Sequence, residues 1–400
     1  MTRRIHIALL LAGLAISSLG DQIYLVALNV RVLDASHSSL AVSGLWMVPP
    51  LAGLLLGSVS GGLADRWDRR RSLVASNLLS TVTVGLIPLM PNIFLIYAAV
   101  FLTSAAGTLF MTALPPYFKL LVPESAWART TSLRGLFTYG SLVLGPAVAG
   151  LLLLHDQTGT AIWIDSASFL ASALALIFLP PLNPGGLPEP ADWRKDMALV
   201  ARFLRQHRGI LAVIAGFSGI IVFGSAADAQ EVVFARQALH LGRSGYSLLV
   251  GAAGVGYVVG AALAVLWGKR LSRRLALGVG ALLSAACYVL YSRTTTLSEA
   301  AATLIGLGIF QSIANAGLSL HLQYALPTAI MGRVMGTVQA AQYGLTVIAV
   351  LIGGVTASSL GVRPMMTSAA LAALLSGLFL TWQAWRPTAG HLTRQEEPSL

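Results

Sequence analysis

About twelve long apolar runs, separated by short breaks that carry most of the charge, constrain this chain more than any other feature. A helix needs roughly 20 apolar residues to cross the ~30 Å hydrocarbon core of a bilayer, where every backbone N–H and C=O must be satisfied within the segment. With 56% hydrophobic and 10% charged residues and a mean hydropathy of +0.76, the 400-residue chain lacks the polar surface to coat soluble domains. A membrane barrel would alternate polar and apolar side chains with a period of two, and these runs do not. The reading is an all-α membrane protein with 12 transmembrane helices, near 5–33, 40–64, 72–91, 93–121, 130–154, 160–180, 209–239, 244–268, 275–292, 296–325, 330–360 and 364–385. The first run opens on Arg3 and Arg4 like a secretory signal, but its apolar character continues to Leu28, so it is read as a retained first span.

Basic residues in short loops set orientation. With the N-terminus in the cytoplasm, 21 of the 26 Lys and Arg fall on the inner side, leaving Arg31, Arg236, Arg243, Arg293 and Arg363 outside. A multi-pass protein of the cell (inner) membrane with both termini cytoplasmic follows. The same distribution explains the net charge of +11 without a nucleic-acid partner. The lone Cys287, in an apolar run, excludes a disulfide framework and is read as packing.

The halves resemble each other at an offset of 204 positions, which pairs Arg69 with Arg273, Pro123 with Pro327, Arg129 with Arg333, Tyr139 with Tyr343 and Gly150 with Gly354. An even number of spans per copy keeps both copies in one orientation, giving two pseudo-symmetric six-helix bundles with a cavity between them. The expected layout is 1–180 for the first bundle, 181–208 for a cytoplasmic linker, 209–386 for the second bundle and 387–400 for a disordered tail. In the linker, Asp192 reads as an N-cap. Trp193, Met197, Val200 and Leu204 share one face of a basic helix suited to an anionic leaflet, or simply tethering the halves.

Between the second and third runs lies GGLADRWDRRR, in which Gly61, Leu63, Ala64, Asp65, Arg66, Arg69 and Arg70 resemble, in register, the signature loop of major facilitator superfamily transporters. Asp68 stands where that pattern has a second glycine, so the turn should differ there. The resemblance implies the superfamily's twelve-helix fold and a cytoplasmic gate latched by Asp65; a purely topogenic basic loop is the alternative. GPAVAG in the fifth span, with Gly145, Pro146 and Gly150, is similar to an exporter motif of the superfamily, although glycines at this spacing also serve plain helix packing. LGDQIYLVAL, Leu19 to Leu28, resembles the first helix of the drug/proton antiporter branch that contains macrolide and siderophore exporters.

Ionisable residues inside membrane helices are functional hypotheses by default. Asp21 in the first span, and Asp228 with Glu231 on one face of the seventh, sit at corresponding depths of the repeat and are expected to face one another across the cavity, coupling protons or binding substrate. The structural alternative pairs Asp228 or Glu231 with Arg236 or Arg31 in an outer gate. Asp165 is placed near the outer start of the sixth span. Gln311, Asn315, Gln339 and Gln342 are candidate polar cavity residues or helix-to-helix bonds, and Trp46, Tyr139 and Tyr343 candidate aromatic walls.

Gly254 to Gly260 nearly imitates a dinucleotide loop, but with the wrong spacing and inside an apolar run. No catalytic motif is present, so no enzyme, cofactor or metal is expected. The expected function is secondary active transport, proton-coupled efflux of amphiphilic, neutral or cationic small molecules by a monomer, with the proton gradient as energy source. Siderophore export, lysolipid or lipid transport, and a non-transporting sensor or scaffold remain the alternatives.

Overall fold

The computed structural model describes residues 3–181, 193–267, 272 and 274–385, with the side chains of 58, 59, 61–66, 193–196, 328 and 329 outside that description. The expected tail, the linker up to Asp192, and Lys269, Arg270 and Arg273 of the repeated loop also lie outside the described residues. Among the described residues, twelve helices are long and apolar enough to cross a membrane.

The first bundle comprises α1 (Arg3–Ser36), α2 (Ser39–Arg66), α3 (Arg69–Leu86), α4 (Ile93–Leu121), α5 (Glu124–Leu154) and α6 (Thr158–Ile177). A connecting helix, α7 (Trp193–Gln206), leads into α8 (Arg208–Ala229) and the short α9 (Glu231–Val233). The rest are α10 (Arg243–Trp267), α11 (Gly280–Arg293), α12 (Leu297–Ala325), α13 (Thr328–Leu360) and α14 (Val362–Trp385). Single π-turns, Phe234–Ala238 and Leu275–Val279, extend α9 and precede α11.

Local chemistry fixes several ends. Asp68 accepts from the Arg71 N–H at 2.9 Å, so it is the N-cap of α3, which begins earlier than the apolar run. Thr296 and Glu299 form a reciprocal capping box at the start of α12. The repeat is visible in backbone form, since Pro123 and Pro327 hold matching extended conformations immediately before α5 and α13.

Two expectations change. The seventh span is not one helix: α8 stops at Ala229 and the chain turns at the buried Gln230. The Gln230 amide donates to the Ser39 carbonyl at 3.1 Å and to Ser43 Oγ at 2.6 Å in α2, so a bond to the other bundle holds the break in place. In the connecting helix, Val200 and Leu204 pack against Ile214, Leu322, Leu326 and Val334 of the second bundle, while Met197 stays exposed.

Within each bundle, small residues let helices approach. Gly13 and Gly20 of α1 lie against Ser172 and Ser168 of α6. The bundles meet through two crossings, α5 on α10 and α2 on α13. The end of the molecule where the chain starts is called here the near end, and the opposite one the far end.

Candidate functional site

A cavity of about 380 Å³ lies between the bundles, with walls from both. Tyr24, Trp46 and Tyr343 supply aromatic faces, Pro49 and Pro50 a rigid apolar side, and Asn29, Gln339 and Gln342 uncharged polar groups. Among the described residues no charged side chain lines it. Trp46 is oriented by its indole N–H, which donates to Asn29 Oδ1 at 2.8 Å, and the Asn29 amide in turn donates to the Leu25 carbonyl. The Gln342 amide donates to Ser218 Oγ at 2.8 Å, and that of Gln339 to the Tyr343 hydroxyl at 3.0 Å. The Tyr24 hydroxyl is buried with no partner among the described residues. The site therefore offers a flat ligand aromatic faces and at least one free hydroxyl.

Of the residues expected there, Trp46, Tyr343, Gln339 and Gln342 line the cavity, whereas Gln311, Asn315 and Tyr139 do not. Tyr24, Asn29 and the proline pair were not singled out. Tyr24 had a readable signal, because it lies one turn beyond Asp21.

The far end of the cavity is closed. Arg243 of α10 donates from Nε to Asp34 of α1 at 2.8 Å and also bonds Asp156 beyond α5, while Arg236 lies 3.6 Å from Asp34. Asp34 is thus the acid of this gate. Arg31 instead donates to the Pro88 and Met90 carbonyls within its own bundle.

Just inside the gate, Gly150 of the GPAVAG segment lies against Ser247, where a Cβ would sit 3.0 Å from its hydroxyl, and Ser247 donates to the Pro146 carbonyl. The offset of 204 relates Gly150 to Gly354 and Ser247 to Ser43. Gly354 does lie against Ser43, so the two crossings are copies of one contact. Gly145 packs on Gln22 of α1. Towards the near end, by contrast, positions 57, 135, 140, 332 and 336 of the same helices have nothing within 4 Å of a built Cβ. These near-end positions thus lack the close helix contacts seen at the far end.

The three expected acids form two separate groups. Asp21 is exposed on the face of α1 that carries Tyr24, Leu25 and Leu28 into the cavity. Its electrostatic neighbour is Asp165, which is fully buried in α6 against Gly20 and accepts from Ser168 Oγ at 3.1 Å, rather than sitting at an outer surface. Asp228 and Glu231 belong to the second bundle. Asp228 accepts from the Tyr288 hydroxyl at 2.9 Å, and both carboxylates lie among Tyr246, Tyr288 and Tyr291. Among the described residues neither acid pairs with Arg31 or Arg236.

Of the signature loop, the side chains of Gly61, Asp65 and Arg66 lie outside the described residues. Arg70 donates to the Ile177 and Leu179 carbonyls at 3.2 and 3.0 Å, capping the end of α6, and Arg69 lines a near-end pocket.

Twelve spans among the described residues, in two repeated bundles around a ligand-sized cavity, give the architecture of a membrane transporter. The Major Facilitator Superfamily profile matches residues 10–234 and 229–399, and the chain belongs to that superfamily. It is 27% identical over 369 residues to the uncharacterized MFS-type transporter YfiS of Bacillus subtilis, covering 88% of this chain and 87% of that one. To the multidrug efflux pump Tap of Mycobacterium tuberculosis it is 23% identical over 394 residues, covering 92% and 91%. Macrolide efflux protein A of Streptococcus pyogenes matches at 25% over 211 residues, 51% of this chain and 52% of that protein. In fold it resembles a bacterial homolog of the human lysosomal transporter Spinster in an inward-facing, unoccupied conformation, with a TM-score of 0.74, 13% identity and coverage of 96% and 98%. The nucleoside transporter NupG gives a TM-score of 0.73 at 10% identity, covering 96% and 100%.

Proposed function

We propose that this transporter is a proton-coupled exporter of amphiphilic, neutral or cationic small molecules, working by alternating access as a monomer in the cell (inner) membrane with both termini cytoplasmic. One observation carries the reading: an uncharged, aromatic-walled cavity with Asp21 exposed one turn away on the same helix face. Trp46, Tyr24 and Tyr343 suit a flat apolar body, and Gln339 and Gln342 its polar substituents. The absence of Lys and Arg from the walls disfavours anionic cargo such as a siderophore. The relatives named for multidrug and macrolide efflux support the direction and the cargo class.

With the basic loops inside, the near end is cytoplasmic and the described conformation is inward-open. In that state Asp21 gives up its proton to the cytoplasm and holds a cationic cargo. Once the outer side opens, a proton from outside neutralises the carboxylate and the cargo leaves. Asp228 and Glu231, half-buried among tyrosines, form a second proton site that reports to the far gate through Gln230. The proton gradient is the energy source, and no cofactor enters the cycle. Asp65, with Arg66, Arg69 and Arg70, latches the near end when the bundles close there.

The test is transport of a cationic dye in proteoliposomes under an imposed pH gradient. Wild type should accumulate dye. Asp21→Asn should lose gradient-driven accumulation while retaining gradient-free exchange, and Asp228→Asn should reduce it. Accumulation indifferent to the gradient and to both substitutions would overturn the proposal.

A further inference from the structure

A second cavity, of about 470 Å³, lies at the near end, where the starts of α1, α3 and α5 meet the finish of α4. Arg3, Arg69 and Lys119 line it against one carboxylate, Glu124. Arg3 is fixed there, donating to the carbonyls of Leu121 at 2.7 Å and Leu120 at 3.1 Å. Arg69 also lines the cavity, and its Nε is buried with no hydrogen-bond partner among the described residues. The α5 start adds further donors, because Pro123 provides no side-chain cap for its first N–H groups. Trp127, whose indole N–H donates to the Val122 carbonyl, stands at the rim as aromatic rings do at membrane interfaces.

The second half repeats one member of this basic set, Arg273 for Arg69, which lies outside the described residues. At the same offset, the second half carries His207 for Arg3, Gln323 for Lys119 and Met331 for Trp127. Among the described residues, the first bundle gathers Arg3, Arg69 and Lys119 around this cavity.

We infer that this cavity binds a phosphate group, and that the phosphate is the headgroup of an anionic phospholipid in the adjoining leaflet. Several oxygens on one tetrahedral centre match donors that converge from three directions, and a phosphodiester brings a charge that Lys and Arg near a membrane surface attract. Occupancy ties the ends of four helices together. It also engages Arg69 of the signature loop, so anionic lipid favours the conformation in which that loop faces this pocket.

The experiment is thermal unfolding of the purified full chain, titrated at constant ionic strength with phosphatidylglycerol, phosphatidylcholine or inorganic phosphate. Wild type should gain several degrees with phosphatidylglycerol and not with phosphatidylcholine. Lys119→Gln and Arg69→Gln should each weaken the apparent affinity about fivefold. Arg129→Gln removes an exposed cation at the same end but outside the cavity, and should retain the wild-type response. Inorganic phosphate matching the lipid would support the site and overturn the lipid as its source. A phosphatidylglycerol effect equal in all four proteins, or equal to that of phosphatidylcholine, would overturn the site itself. Lys119 is exposed, so its substitution leaves the fold intact and carries the test if Arg69→Gln does not fold.

Discussion

Arg243 donates to Asp34 at 2.8 Å from the first turn of α10 to the last turns of α1, joining the two bundles at the end opposite the chain start. The pair is partly exposed, with 32% and 27% of the side chains accessible, so it contributes about 0.5–1 kcal/mol to this closure. Asp34→Asn should therefore raise the opening of the far end roughly two- to fivefold. An impermeant maleimide applied from outside to a cysteine placed at Ser225, in a Cys287→Ser background, reads that opening. An unchanged labelling rate would show that the ion pair does not hold the gate.

The α5–α10 crossing should tolerate almost no added volume. A Cβ at Gly254 would overlap the backbone carbonyl of Leu142, which cannot rotate away, whereas one at Gly140 meets nothing within 4 Å. Gly254→Ala should destabilise this conformation by about 1–3 kcal/mol and reduce transport at least tenfold, while Gly140→Ala leaves both near wild type. Thermal unfolding and dye efflux, measured together on the two variants, check the contrast.

Cargo affinity should follow the aromatic walls. Trp46→Ala removes a large face, and about 1–2 kcal/mol of binding corresponds to a five- to thirtyfold weaker Kd. Asn29→Ala keeps the ring but strips the indole N–H of its acceptor. It should weaken binding less than Trp46→Ala while lowering thermal stability by about 1 kcal/mol, the net worth of a part-buried hydrogen bond. Equilibrium dye binding separates the two effects.

The break in the seventh span makes a fourth expectation. Gln230→Ala deletes two bonds to α2, at Ser39 and Ser43, without altering Asp228 or Glu231. Gradient-driven transport should fall severalfold while gradient-free exchange persists, if the turn conveys the state of these acids to the far gate. Equal loss of both activities would reduce Gln230 to a packing residue.

Much of the architecture was legible in the chain. Span number, bundle repeat and the matched Pro123 and Pro327 follow from hydropathy and local backbone chemistry, which act over a few turns. The α8–α9 break was not legible, because the residues around Gln230 read as one apolar run and the acceptor that favours the turn belongs to another helix. Asp165 was misplaced for a similar reason. Its depth depends on Gly20 leaving room for a carboxylate on α6, and neither residue signals that alone.

Twelve bilayer crossings in two related halves are already written in the amino-acid order, because apolar length and short-range capping are properties of single segments. Tertiary structure alone decided which polar residues meet. It brought Gln339 and Gln342 to the cavity and left Gln311 and Asn315 outside its walls, separated Asp21 from Asp228, and chose Asp34 as the acid of the far gate. The physical reason is helix rotation and crossing: residues one turn apart share a face, but which neighbour that face meets depends on how whole helices pack against one another.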